Sequence, residues 1–241
     1  MQTAKNMRVV EKATKRVYEG FVHEETNMFV GPDITVSLET INSDFTHLID
    51  SITSLSEYQK LAARTLPDLR EIYGTDEVII IGIEELNCND IHTLYGITTE
   101  LGEILDLYKK SFAYRKVFDK TNLIEEICDM MWYIAAGCTM NSIDLNKVID
   151  FESIKFNGFC IPLGNFPTIE NMKAVYELIH DFNNSTIDVE DVIAAFVPSK
   201  EEFLKGLTNN INKLIIRYPY KFTNLDAINR DLDSERSELE K

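Results

Sequence analysis

The sequence lacks any hydrophobic run near the roughly 18 residues that a membrane span needs. Its longest apolar runs are VIIIGI (Val78–Ile83) and MMWYIAAGC (Met130–Cys138). The opening residues, MQTAKNMRVVEKATKRVYEG, contain no apolar core of the kind an export signal carries. A cytoplasmic protein that does not enter membranes is therefore expected. Cysteine is sparse, and Cys88, Cys128, Cys138 and Cys160 form no C-x-x-C pair. Buried reduced thiols are expected in place of a disulfide framework. The four histidines, His23, His47, His92 and His180, follow no metal-ligand spacing, so zinc has no support. Glycine-rich phosphate loops, G-x-S-x-G elbows and H-E-x-x-H motifs are absent. Positive charge is also short: 24 Lys and Arg face 40 Asp and Glu, for a net charge of −16. That balance excludes gripping a nucleic acid polymer or an anionic membrane through the general field. A phosphorylated ligand stays open where bound cations invert the local charge. Whatever chemistry the chain performs must come from carboxylates.

What is present is an ordinary globular composition, 44% hydrophobic and 27% charged over 241 residues. This length suits one domain with sizeable insertions. RVYEGFV and DITVSLETI, separated by a turn signal at Gly31-Pro32-Asp33, suggest short strands near the N-terminus. SLSEYQKLAARTLP has helical spacing, a Ser54 or Ser56 cap and a terminating Pro67. DEVIIIGIEE suggests a buried strand. Two long helices follow, in NDIHTLYGITTELGEILDLYKKSF and NLIEEICDMMWYIAAGC, with Asn122 and Glu125 matching a capping box on the second. DLNKVIDFESIKF suggests a third helix, and GFCIPLGNFP must be irregular. Further helices are expected in TIENMKAVYELIHDFN, DVEDVIAAFV, SKEEFLKGLTNNINKLIIRY and the charged tail. The expected fold class is mostly α, with a minor β component in residues 1–53 and 75–87.

Glu100 and Glu103 are three residues apart and share one helix face, and Glu126 and Asp129 repeat that spacing on the next helix. The connection between them allows the helices to pack antiparallel, so four carboxylates converge. Acids at i and i+3 usually mark a solvated face. Here both pairs sit among apolar neighbours, where acids are costly without a counter-charge. An all-oxygen site of this kind suits Mg²⁺, with Mn²⁺ as a substitute.

ITTELGEILDLYKK followed by NLIEEICDMMWYIA resembles the E-x-x-E … E-x-x-D signature of the all-α nucleoside triphosphate pyrophosphohydrolases, the MazG-like superfamily. EYQKLAART (57–65) is similar to the opening helix of many phage and bacterial members, and NNINKLIIRYPYKFTNLDAINRDLDSERSELE (209–240) to their closing segment. The resemblance implies a helical-bundle catalytic core in residues 54–150 and 208–241. Residues 1–53 would then be an N-terminal extension and 151–207 a helical insertion. It further implies Mg²⁺-dependent hydrolysis of a nucleoside triphosphate, a deoxynucleotide for preference, to the monophosphate and pyrophosphate.

In that scheme Glu100, Glu103, Glu126 and Asp129 hold metal ions. Glu125 or one of those four takes a proton from the attacking water. The resemblance also raises Lys110, Arg217 and Arg230 as substrate-binding residues above other basic residues such as Lys109, Lys116, Lys120 and Lys221, while Asn122 is a helix cap first and a substrate contact second. It implies a homodimer or a dimer of dimers, acting in a host cytoplasm if phage-encoded. Hydrolysis of another pyrophosphate-containing nucleotide, such as phosphoribosyl-ATP or an alarmone, is the neighbouring alternative. A non-catalytic member that binds a nucleotide or a protein partner is the alternative from a different class.

Overall fold

A computed structural model of the chain describes residues 5–23, 26–67, 79–81, 84–86, 88–220, 222–223, 226–227 and 230–241. Lys221 and most of residues 75–87 lie outside them. The chain divides into two compact units, one of residues 1–51, 64–66 and 208–241, the other of 52–63 and 67–207.

The first unit is built on a five-stranded antiparallel sheet. Its strands are β1 (Lys5–Glu11), β2 (Val17–His23), β3 (Met28–Gly31), β4 (Ile34–Ser37) and β5 (Phe45–His47), in the order β4-β3-β2-β1-β5. Val9 pairs with Tyr18, Val22 with Phe29 and Phe29 with Val36, so strand alternation puts one apolar side chain of each on a shared face. Helix α1 (Leu38–Asp44), capped by Ser37, adds Ile41 to this core of Val9, Phe29 and Phe45.

The expectation of a mostly α protein with a minor β component is corrected by this sheet, which has its own core. Each strand is at most seven residues long, and the pairing of β1 with β5 joins segments distant in sequence. Lys5–Glu11, to which the sequence pattern assigns no element, is an inner strand between β2 and β5.

The closing segment completes this unit. Asn212, fully buried, accepts from the Ile49 backbone N–H at 2.6 Å and donates to its carbonyl at 2.8 Å, in place of a strand partner. Glu235 and Glu238, on the terminal helix Leu232–Leu239, are both 2% exposed. Glu235 accepts from Arg217 and Arg230, and Glu238 from Arg8.

The second unit is mainly helical. Its elements are α2 (Leu55–Ala62), a two-stranded ribbon of β6 (Ile79–Ile81) and β7 (Glu84–Leu86), α3 (Cys88–Tyr114), α4 (Lys120–Met140), α5 (Ile169–Asn183), α6 (Val189–Phe196) and the start of α7 (Lys200–Arg217); the terminal helix is α8. The ribbon replaces the single strand expected in DEVIIIGIEE. Ser54, one of the two caps expected for α2, caps that helix, and Thr168 and Ser199 cap α5 and α7.

Two local expectations are corrected. The cap of α4 is Asp119, which accepts from the Asn122 N–H, so Asn122 lies inside the helix. DLNKVIDFESIKF forms only a short 3₁₀ turn, Leu145–Lys147, because Asp144 and Ser153 hydrogen-bond nearby backbone and compete with the helix ladder. Cys128, Cys138 and Cys160 are buried thiols. Among the described residues, no helix is long and apolar enough to cross a membrane.

Helices α3 and α4 pack closely in antiparallel fashion because two glycines permit it. A Cβ on Gly96 would stand 2.0 Å from the Tyr133 ring, and one on Gly137 would stand 2.9 Å from Thr93. Gly96→Val should therefore force the helices apart and destabilise the protein by about 1–3 kcal/mol. Urea unfolding checks this; an unchanged midpoint would remove the close crossing.

Candidate metal centre

The buried stripe of α3, Leu101, Ile104 and Tyr108, faces the protein interior and leaves Glu100 and Glu103 on the adjoining flank. On α4, Leu123, Ile127, Met130 and Met131 are fully buried and carry Glu126 inward, to 5% exposure. Gly96 opposite Tyr133 and Thr93 opposite Gly137 fix the antiparallel register. Continued toward the connecting loop, it sets Glu100 across from Asp129 and Glu103 across from Glu126.

Glu100, Glu103 and Glu126 each offer a carboxylate oxygen, and these oxygens lie within 4.8 Å of one another. Asp129 falls outside that set, yet its charge still acts on Glu126. The Asn122 amide donates to Glu126 Oε1 at 2.6 Å and fixes that carboxyl's orientation.

The electrostatics are those of a site short of positive charge. Burial, followed by the charges of Asp129, Glu103, Glu125 and Glu100, pushes the Glu126 carboxyl up to about 9. An all-carboxylate donor set fits a hard divalent cation, which would remove that repulsion.

The acids open into a groove of about 830 Å³ running along the seam of α3 and α4. Glu103, Glu126, Lys110 and Asn122 all line it. Lys110 pairs with Asp106 at 2.5 Å, and Lys109 also contacts Asp106. Lys116 lines the groove from the α3–α4 loop, while Lys120 is exposed at the start of α4. Glu125, half-buried on α4, adds to the field at Glu126.

Arg217 and Arg230 belong to the first unit, where both bind Glu235. Trp132 and Tyr133 pack edge to face with each other and with His92, as a packing cluster.

Sequence reasoning missed Asp106, Ser111 and Asp119 as groove residues. Asp106 carried a readable signal, since it continues the three-residue series of Glu100 and Glu103. Ser111 carried another, as a serine continuing an apolar helix stripe.

The raised carboxyl has a consequence for stability. In the folded chain Glu126 holds its proton to about 9, against an ordinary value of 4.5. Between those values the folded state binds more protons than the unfolded one, so stability falls as pH rises through this window. In chelator the melting temperature should decline from pH 5 to 9, and Mg²⁺ should restore it most at the alkaline end. Parallel melting profiles with and without Mg²⁺ would exclude cation binding at these acids.

Comparison of the chain with protein-family models, with curated proteins and with solved structures returns no match. The functional reading therefore rests on the geometry of the acids together with the sequence resemblance.

Proposed function

We propose that the chain is a Mg²⁺-dependent nucleoside triphosphate pyrophosphohydrolase of the MazG-like kind. The observation that carries this reading is the convergence of Glu100, Glu103 and Glu126 on one small volume at the head of a groove. Glu100, Glu103, Glu126 and Asp129 would hold the cation, with Asn122 keeping the Glu126 carboxylate in place. A bound Mg²⁺ or Mn²⁺ neutralises phosphate charge and acidifies an attacking water. Phosphoryl transfer asks little else of a protein beyond in-line positioning. Glu125 or one of the four liganding carboxylates accepts the proton of that water. Lys110 lines the groove wall with its charge paired to Asp106.

Pyrophosphate release from a nucleotide panel, with and without Mg²⁺, tests the reading. Glu103→Gln and Asp129→Asn should each fold normally and lose at least about a hundredfold in turnover. Wild-type turnover in both variants would reject the site.

Assembly belongs to the same reading. Leu94, Tyr95, Leu105 and Phe112 on α3, with Ile169 and Tyr176 on α5, are exposed apolar side chains that another subunit would cover. A homodimer or dimer of dimers is expected by light scattering in Mg²⁺. A monomer at micromolar concentration would contradict it.

A further inference from the structure

The metal chemistry leaves one feature of the groove unused. Ser111 sits one turn beyond Tyr108 on the apolar stripe of α3 and is 1% exposed. Its Oγ has no hydrogen-bond partner among the described residues. A serine inside a helix ordinarily turns its hydroxyl back to the carbonyl four residues earlier, and Ser111 makes no such bond to Leu107. Buried hydroxyls are costly to leave unpaired, so an orphaned one on the wall of a groove points to a ligand atom that completes it.

Ser111 lines the same groove as Glu103 and Glu126. Eight residues of helix separate it from Glu103, about 12 Å at the α-helical rise. The two ends of the groove therefore differ in chemistry. At the acid end, carboxylates call for cations and, through them, for phosphate. Toward Ser111, Asp106 and Asp119 balance Lys110 and Lys116, and Lys110 is already held by Asp106. Leu107 and Val117 add apolar wall. A phosphate finds no surplus positive charge there and would lose its hydration beside a buried hydroxyl. A neutral group with donors and acceptors fits, because a hydroxyl can serve as either partner.

We propose that Ser111 marks the nucleoside end of the groove, where its buried hydroxyl hydrogen-bonds a neutral edge of the sugar or base of a nucleotide whose phosphates lie at the acids. This rests on the nucleotide reading above. It makes Ser111 a specificity-determining residue with no part in holding metal or phosphate.

Calorimetric titrations of wild type and Ser111→Ala test it. The probes are MnCl₂ alone, tripolyphosphate with Mn²⁺, and the α,β-methylene analogues of the four deoxynucleoside triphosphates with Mn²⁺. Affinity for Mn²⁺ and tripolyphosphate should be unchanged in the variant. The analogue that wild type binds most tightly should weaken about fivefold to tenfold, the effect of losing one neutral hydrogen bond. The ligand-free variant should melt no lower than wild type, because it sheds an unpaired buried hydroxyl. Equal weakening of tripolyphosphate would make Ser111 a phosphate contact and overturn the proposal. Undiminished nucleotide affinity, or a lower melting temperature without ligand, would overturn it as well. Failure of wild type to bind Mn²⁺ removes the nucleotide reading and this proposal together. Normal Mn²⁺ and tripolyphosphate binding with no nucleotide effect removes the Ser111 proposal alone.

Discussion

The close crossing of α3 and α4 at Gly96 and Gly137 is the constraint on which the rest of the helical unit depends. With Tyr133 and Thr93 filling the space where Cβ atoms would stand, the two helices can take only one register. In that register Glu100, Glu103 and Glu126 converge, and Asp106, Asn122, Ser111 and Asp119 line the groove beyond them. A slip of one residue on either helix would rotate these side chains by about 100° and scatter the acids around the surface. Convergence of the carboxylates is thus a consequence of packing between small and aromatic residues a turn or more away from them.

The two units handle buried acid in opposite ways, and the contrast is informative. Burial raises Glu235, but hydrogen bonds and charge from Arg217 and Arg230 outweigh it and leave the carboxyl below its ordinary range. Glu126 is about as deeply buried, has other carboxyls around it, and ends well above that range. The first arrangement is self-sufficient, with each buried oxygen met by a guanidinium. The second is relieved by a retained proton, and a bound cation would relieve it as well. A carboxyl under such tension suits binding more than it suits structural support, since apolar side chains would fill the same space at lower cost.

Much of the helical unit was legible in the sequence because its signals are local. The 3.6-residue stripe of α3, the apolar run of α4 and the capping side chains of Ser54, Thr168 and Ser199 each lie within one turn of what they determine. The i, i+3 acids were legible for the same reason. The sheet was legible only in part: RVYEGFV and DITVSLETI read as strands, but Lys5–Glu11 did not, and its pairing with Phe45–His47 joins segments distant in sequence. Asn122 and Asp119 are both good cap residues, and only the length of the preceding loop decided between them. Glu238 read as part of a charged tail, since its partner Arg8 lies 230 residues away. Ser111 shows in the sequence as a serine on an apolar stripe, and its lack of a partner appears only in three dimensions.

The irregular stretch after residue 150 shows how chain without regular structure can still hold a groove wall in place. The last carbonyls of a helix have no partner within it. On α6 those of Ala194 and Ala195 are met by the backbone N–H groups of Asn157, Gly158 and Cys160 at 2.9–3.0 Å. Gly158 takes a left-handed φ of +57° to make that approach, with Pro198 close on its other side. The Cys160 carbonyl accepts the buried Tyr108 hydroxyl at 2.7 Å, and the Asn165 carbonyl accepts the Phe118 N–H at 2.8 Å. Phe118 also stacks edge-on to Tyr108. The α3–α4 loop, which supplies Lys116 and Val117 to the groove, is thereby tied to a segment that is itself bolted to a helix end. These bonds tie the loop that carries Lys116 and Val117 to the segment 157–165, whereas Glu100, Glu103 and Glu126 are carried by α3 and α4 alone.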